Sequence, residues 1–417
     1  MNLLIKNVLL HDSIQDIFIQ KGLIDSIGQN LNCEAENVLD GTDKVAIPSF
    51  VNAHTHSAMT LMRSYADDME LHDWLENKIW PYEKNISEQD VYWATRLAII
   101  EMIKSGTTYF NDMYWHYPGT AQAVIDSGIH AHLSSAFIDL GDEETSKKQI
   151  EEQVKLFENR DQFSPNVTFS LGAHSLYTVL ESGLFWLRDF ANEHTLNIHM
   201  HLSETKKEVD EWVQQTGKRP VEYLESIGFL GSHIIAAHVN WVTDDEIKLL
   251  ADYNVGVAHC PTSNMKLASG VFPYQRIRDA GIRIGLATDG VASNNNVDML
   301  DEVKVAALLQ KSFNQDPTVM PADEAFYLAT EGSASLFGLN MGKIEVGKSA
   351  DLLLIDLNNI QLIPNHHLIS NLVYSAHSGC INTTIAKGEI LMENGCVKDE
   401  KNVIDHFQKV IRKQVKE

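Results

Sequence analysis

The spacing of apolar and polar residues gives this chain three textures. Leu3-Leu4-Ile5, Ile17-Phe18-Ile19 and Leu23-Ile24-Asp25-Ser26-Ile27 are short apolar runs broken by polar turns and Gly22, which predicts strands joined as hairpins. The texture returns after Gly342. There Leu352-Leu353-Leu354-Ile355-Asp356 and the stretch from Thr383 to Met392 read as strands, with Asn394-Gly395 as a strong tight-turn signal. Neither end carries residues that look catalytic. Residues 1–47 and 342–417 are therefore expected to form one small β-sandwich from both termini, the second half adding a C-terminal helix.

Between the ends, helices and strands alternate. Ser87 followed by Asp90 has the form of a helix start, Val91, Ala94, Leu97 and Ala98 mark one face, and Gly106 precedes the strand-like Thr107-Thr108-Tyr109-Phe110. That is one βα repeat. The charged stretch from Gly141 to Lys148 reads as a solvated loop and helix start rather than a binding patch. No internal repeat, low-complexity tract or linker rich in Pro, Gly and Ser interrupts the chain.

Candidate chemistry sits where the apolar runs end. Val45-Ala46-Ile47-Pro48-Ser49-Phe50-Val51 reads as a buried strand and leads to His54-Thr55-His56. Side chains two apart on a strand leave by the same face, so both imidazoles can address one cation. An isolated His-x-His is weak evidence, because imidazoles also serve as hydrogen-bonded core groups. Its companions change the picture. Ile198-His199-Met200-His201-Leu202-Ser203-Glu204 offers a second pair, Ile234-Ile235-Ala236-Ala237 runs into His238, and the run from Ile282 to Thr288 ends in Asp289-Gly290. The C-terminal ends of parallel strands share a rim only at the mouth of a barrel. The fold class expected for residues 48–341 is thus α/β, a (β/α)8 TIM-like barrel. Four unrelated buried polar residues would each need a partner of their own.

Composition narrows the classes. At 417 residues and 44% hydrophobic, the chain can bury a large core and exceeds the roughly 250 residues of a barrel, consistent with a second module. A formal net charge of −24 argues against DNA or RNA as a partner, since phosphate binding needs a basic surface. No apolar run approaches the roughly 18 residues needed to span a membrane, and the start enters a strand rather than a signal peptide, so the cytoplasm is expected. Cys33, Cys260, Cys380 and Cys396 form no CxxC pair, which leaves reduced, mostly buried thiols as the expectation.

Seven stretches carry a family resemblance: PSFVNAHTHSAMTLMRSYADD (48–68), DWLENKIWPYE (73–83), SGTTYFNDMY (105–114), HMHLSET (199–205), AAHVNW (236–241), HCPTSNMKL (259–267) and LATDGVASNNNVDML (286–300). The chain resembles the amidohydrolase superfamily, in the manner of the 5-methylthioadenosine/S-adenosylhomocysteine deaminases, and is similar also to the triazine hydrolases. The resemblance covers essentially the whole chain, and it too implies a barrel inserted between two halves of a small β module.

The ligand set expected is His54, His56, His201 and Asp289 around one divalent metal per chain, zinc or else iron, because imidazoles and a carboxylate suit either and thiolates are absent. His199 competes at the second pair. The resemblance favours His201, three residues before Glu204, and a mononuclear site, since no Lys stands at a matching strand end. Zinc can lower the pKa of bound water to about 7, which predicts hydrolytic chemistry. Glu204 is the candidate acid for the ring nitrogen, with His238 and Asp289 as proton acceptors. The plainer reading of Glu204 is a helix N-terminal carboxylate, and of His238 a core histidine.

For substrate, the resemblance places Glu83 and His174 on ribose hydroxyls, and a carboxylate can accept two hydroxyl hydrogens at once. Trp74 and Trp80 are candidate pocket walls, and His259 a structural group. Relatives that accept S-adenosylhomocysteine carry an Arg after the second barrel strand, where an ungapped alignment puts Ser135; Arg63 and Arg283 are the motif-adjacent substitutes. The expected activity is deamination of an adenine nucleoside, 5′-methylthioadenosine, S-adenosylhomocysteine or adenosine, to the inosine analogue and ammonia. The alternatives are an aminohydrolase or chlorohydrolase of s-triazines or other aminated heterocycles, and a catalytically silent metal-binding scaffold. A small nucleoside is the expected partner, and a homo-oligomer, dimer or tetramer, the expected assembly.

Overall fold

Two sheets divide the strands in a computed structural model that describes residues 2–414. The first takes β1 (Asn2–Leu10), β2 (Ser13–Gln20), β3 (Leu23–Gly28), β4 (Asn37–Asp40) and β5 (Lys44–Pro48) from the start of the chain. The second holds β6 (Phe50–Thr55), β7 (Thr107–Tyr114), β8 (His130–Phe137), β9 (Val167–Ala173), β10 (Ile198–Leu202), β11 (Ile234–His238), β12 (Gly256–His259) and β13 (Arg283–Leu286). β14 (Leu352–Asp356), β15 (Ile381–Ala386), β16 (Glu389–Glu393) and β17 (Cys396–Val397) return to the first sheet.

That first sheet is mixed and runs β17-β16-β15-β14-β5-β1-β2-β3, with β4 beside β1. β5 and β14 pair antiparallel, Val45 opposite Ile355, which joins the two ends of the chain. Leu3, Ile5, Ile17, Ile19, Leu352, Leu354 and Ile385 share one core there. The stretch from Thr383 to Met392 is two strands, because Lys387 (φ 43°) and Gly388 (φ 78°) form a two-residue turn of left-handed backbone. Asn394 (φ 51°) and Gly395 (φ 71°) repeat the device before β17.

The second sheet is parallel in sequential order from β6 to β13. Its strands are almost wholly buried, β7 and β8 at every position, as expected when helices cover the outside and side chains fill the inside. Hydrogen bonds join its two edges: the Asp289 N–H donates to the His54 carbonyl (3.0 Å) and the Thr288 N–H to Asn52 Oδ1 (3.1 Å). The barrel is thus nearly closed at the end that carries the candidate chemistry.

The apolar run from Val45 to Val51 belongs to both sheets rather than one strand. Pro48, without an N–H to continue a ladder, ends β5, and the Phe50 N–H turns to the Gly106 carbonyl (2.9 Å) to open the barrel. Helix Glu88–Lys104 starts from the expected box, the Asp90 N–H donating to Ser87 Oγ (3.3 Å) and the Ser87 N–H to Asp90 Oδ2 (2.9 Å). Helix Glu400–Gln414 lies along it, with Lys104 on Glu400 (2.8 Å) and Trp93 stacked on His406 at 4.2 Å. Cys260 and Cys380 are buried, Cys33 is half-buried and Cys396 exposed, all unpaired, so burial holds for two of the four thiols. Among the described residues, no helix is long and apolar enough to cross a membrane.

Candidate active site

Strand geometry delivers four ligand atoms to one point. His54 lies next to the end of β6 and His56 stands just beyond it, His201 lies on β10, and Asp289 follows β13; one ligand atom from each lies within 4.8 Å of the others. The His56 Nδ1–H donates to the Met113 carbonyl (2.6 Å) and the His201 Nδ1–H to the His174 carbonyl (2.7 Å). A carbonyl only accepts, so each Nε2 is left with a bare lone pair, and the two Nε2 atoms face each other across 3.1 Å. Asp289 Oδ1 lies 3.1 Å from His54 Nε2 and 3.3 Å from His56 Nε2. Lone pairs so placed repel unless a cation sits among them, and edges of about 3.3 Å are those of a tetrahedron with bonds of about 2.0 Å.

The charge states agree with that donor set. Burial pushes His54 down to about 4 and His201 well below the usual imidazole range, so both are neutral. For Asp289, burial works toward a higher value, but the imidazoles of His54, His56 and His238 outweigh it and hold the carboxyl well below its ordinary range. Ser263 Oγ (2.6 Å) and Ser293 Oγ (2.8 Å) donate to Oδ2 and leave Oδ1 to the centre. The backbone is strained at this rim: Ser203 (φ 50°), His238 (φ 72°), Val239 (φ 52°) and Asp289 (φ 63°) are all left-handed. His199 points elsewhere. Its Nε2 bonds His54 Nδ1 (2.6 Å), so it orients a ligand instead of joining the four.

Glu204 and His238 flank the centre. Their Oε2 and Nε2 atoms are 3.8 Å apart, both residues buried. Burial raises the Glu204 carboxyl above its ordinary range, against the pull of His238. Its main chain is fixed by Glu208, whose carboxylate accepts the N–H groups of Ser203 (3.2 Å) and Glu204 (2.9 Å). For His238, burial acts downward, yet Glu204 and Asp289 prevail and raise it.

One pocket opens over these groups, lined by His56, His201, Glu204, His238 and Asp289 together with Trp74, Trp80, Glu83 and His174. Glu83 accepts from Trp115 Nε1 (3.0 Å), and burial raises its carboxyl. His174 bonds Thr178 Oγ1 through Nδ1 (2.9 Å). Ser135 does not line the pocket. Ala136 and, just past β8, Ile138 do; Ser135 itself stands on β8, the third barrel strand, rather than after the second. Arg63 is occupied by Glu101 and the Asn295 carbonyl (2.6 Å), and Arg283 opens β13 at the opposite end from Asp289. Among the described residues, neither Lys nor Arg lines this pocket. His259 stacks on Phe272 at 4.3 Å, a packing role.

Comparison with known proteins decides the family. An amidohydrolase family model matches residues 45–391. A 5-methylthioadenosine/S-adenosylhomocysteine deaminase from Archaeoglobus fulgidus is 46% identical over 377 residues, 90% of this chain and 89% of the relative. The chain belongs to the amidohydrolase family. A zinc-bound adenosine deaminase from Xanthomonas campestris superposes with a TM-score of 0.92 at 30% identity, covering 100% of this chain and 99% of that one. A zinc-complexed atrazine chlorohydrolase from Arthrobacter aurescens reaches a TM-score of 0.90, over 98% of this chain and 100% of that one, but at 21% identity it shares the fold alone.

Several groups in this amidohydrolase's site escaped the sequence reading. Trp115, which donates to Glu83, follows a strand whose residue types differ little from core. Ser263, Asn264 and Ser293 are small polar residues whose signal lay in the HCPTSN and ATDGVASNN stretches, read above only as family text. Gly290 lies close under the site, since a Cβ there would come 2.6 Å from Met59 Sδ and 3.2 Å from the His56 Cβ.

Proposed function

We propose that this amidohydrolase removes the exocyclic amino group of an adenine nucleoside by adding water, giving the inosine analogue and ammonia. The observation that carries this reading is the pair of facing Nε2 lone pairs beside an ionised Asp289, next to a buried Glu204 whose carboxyl burial raises. A hydrolase needs both halves, whereas a silent scaffold has no use for the acid.

His54, His56, His201 and Asp289 are the residues that would hold the cation, for which we propose zinc and, second, ferrous iron. Bound there, it would supply Lewis acidity and make water a stronger nucleophile at neutral pH. The chain's own groups move the protons. As the water oxygen attacks the carbon bearing the amine, Glu204 delivers a proton to the adjacent ring nitrogen, where it stays in the product. His238 receives the first proton of that water and passes it to the amine, which leaves as ammonia. The second water proton is released as the new hydroxyl becomes a carbonyl, and it restores Glu204.

Glu83 and His174 suit the ribose hydroxyls, and the apolar wall of Trp74, Ala136 and Ile138 suits an uncharged 5′ substituent. With neither Lys nor Arg among the described residues of the pocket wall, 5′-methylthioadenosine and adenosine are the preferred substrates over S-adenosylhomocysteine, whose carboxylate would lose water without gaining a charged side chain. An ammonia-release assay over these three nucleosides and a set of amino-s-triazines tests the reading. The expected result is turnover of the nucleosides; turnover confined to the triazines, or none with metal bound, would overturn it.

A further inference from the structure

Behind His238 runs a chain of three hydrogen bonds, all buried. His238 Nδ1 lies 2.9 Å from Asn264 Oδ1, Asn264 Nδ2 lies 2.9 Å from Asn240 Oδ1, and Asn240 Nδ2 lies 3.0 Å from the main-chain carbonyl of Glu204. Asn264 and His238 are 1% exposed and Asn240 6%, so water does not offer these groups other partners. An amide can face either way, and an imidazole can carry its proton on either nitrogen. A main-chain carbonyl has no such freedom, because it can only accept.

That one fixed acceptor sets every member of the chain. Asn240 must turn its NH2 to the Glu204 carbonyl, which leaves its oxygen toward Asn264. Asn264 must therefore present its NH2 to Asn240 and its oxygen to His238. The His238 proton is then drawn to Nδ1, and Nε2, the atom 3.8 Å from Glu204 Oε2, keeps its lone pair. We infer that Asn240 and Asn264 are positioning residues that lock His238 in the Nδ1–H tautomer, so that Nε2 is free to accept a proton in the pocket. The relay also ties the two proton-handling groups together. The main chain of Glu204 dictates the tautomer of His238, while Ser269 Oγ, which follows the Asn264 helix, holds Glu204 Oε1 (2.9 Å).

The role of His238 in turnover rests on the function proposed above, but the tautomer does not, and it can be read without substrate. The test is 15N NMR of histidine-labelled, metal-loaded protein, with His238→Gln to assign the resonances. Wild type should show His238 protonated at Nδ1. Asn264→Leu, similar in size but without either polar atom, should lose that preference and lower kcat about a hundredfold with KM changed less than about threefold. Asn264→Asp keeps the acceptor toward His238 and should restore the Nδ1–H signature, while its second oxygen meets Asn240 Oδ1 and breaks the link to Glu204. An Nε2–H tautomer in wild type, or an unchanged Nδ1–H signature in Asn264→Leu, would overturn the inference. Should the Leu variant not fold, the wild-type and Asn264→Asp spectra decide it alone. A lost tautomer with unchanged kcat would leave the relay standing and remove His238 from the mechanism.

Discussion

Both sheets bury carboxylates, and the difference lies in what those carboxylates meet. In the terminal sheet, Asp16 accepts the main-chain N–H groups of Asn7 (2.9 Å) and Leu31 (2.9 Å), and Asp351 takes the Ser349 hydroxyl and the Lys387 N–H (3.3 Å). Each is satisfied by the chain itself. In the barrel, Asp289 and Glu204 are equally buried, yet Asp289 turns one oxygen to imidazoles that hold bare lone pairs, and Glu204 turns one toward His238 across the pocket. Burial of an acid is thus no sign of chemistry. A set of buried groups that cannot satisfy one another without a visitor is such a sign.

The largest way to break this comparison is to remove the set that needs the visitor. His201→Ala and Asp289→Ala should strip the metal and lower turnover by a factor of roughly 1,000 or more, read by elemental analysis and ammonia release. His199→Gln should keep the metal but bind it about 10–100-fold more weakly, the usual cost of losing a group that orients a ligand. Full occupancy in His201→Ala would show that His199, not His201, completes the site.

A smaller effect separates acid from ligand. Glu204→Gln preserves shape and metal but cannot deliver a proton to the ring, so turnover should fall about a hundredfold or more with metal content unchanged. Wild-type turnover would reduce Glu204 to the helix-entry carboxylate that its neighbour Glu208 already is.

Smaller again is the discrimination among nucleosides. A desolvated carboxylate without a charged partner forfeits about 1.5–3 kcal/mol, which sets a preference of about tenfold or more in kcat/KM for 5′-methylthioadenosine over S-adenosylhomocysteine. Ile138→Arg, on the pocket wall, should narrow that gap, whereas Ser135→Arg should not, since Ser135 is not on the wall. Steady-state kinetics of both variants on both nucleosides checks the point, and equal wild-type kcat/KM values would refute the electrostatic argument.

These contrasts also mark how far the chain could be read before its fold. The candidate ligands and His238 were legible because chemistry of this kind demands particular residue types at strand ends: His54, His56, His201, His238 and Asp289 stand where apolar runs stop. The terminal module was legible from turn chemistry at Asn394-Gly395. The division of the run at Pro48 was not, because apolar strands in two different sheets look alike in sequence. Nor was the inward face of β8, since a strand buried on both sides has no polar alternation to reveal which side chains line the pocket. Asn240 and Asn264 were invisible for another reason. Their effect depends on partners far apart in the chain, Asn264 lying 26 residues from His238.

The smallest expected effect on activity sharpens the other side of the comparison. Asp16→Ala removes a carboxylate as buried as Asp289 but with no tie to the pocket, so kcat, KM and metal content should be those of wild type. Its cost falls on the fold. Asn7 sits in left-handed backbone (φ 58°), where the register of β1 against β2 shifts between Ile5 and Val8, and the Asp16 carboxylate holds that irregularity by accepting its N–H. With Ala in its place, the N–H groups of exposed Asn7 and half-buried Leu31 lose their acceptor and must turn to water, a net loss of about 0.5–1.5 kcal/mol for each hydrogen bond. Asp16→Asn keeps one oxygen for two donors and should fall between Ala and wild type. Chemical denaturation of the metal-loaded proteins supplies the order. If Asp16→Ala were as stable as wild type, the carboxylate would not be holding the bulge, and the claim that this sheet's buried acids serve structure alone would fail at its clearest example.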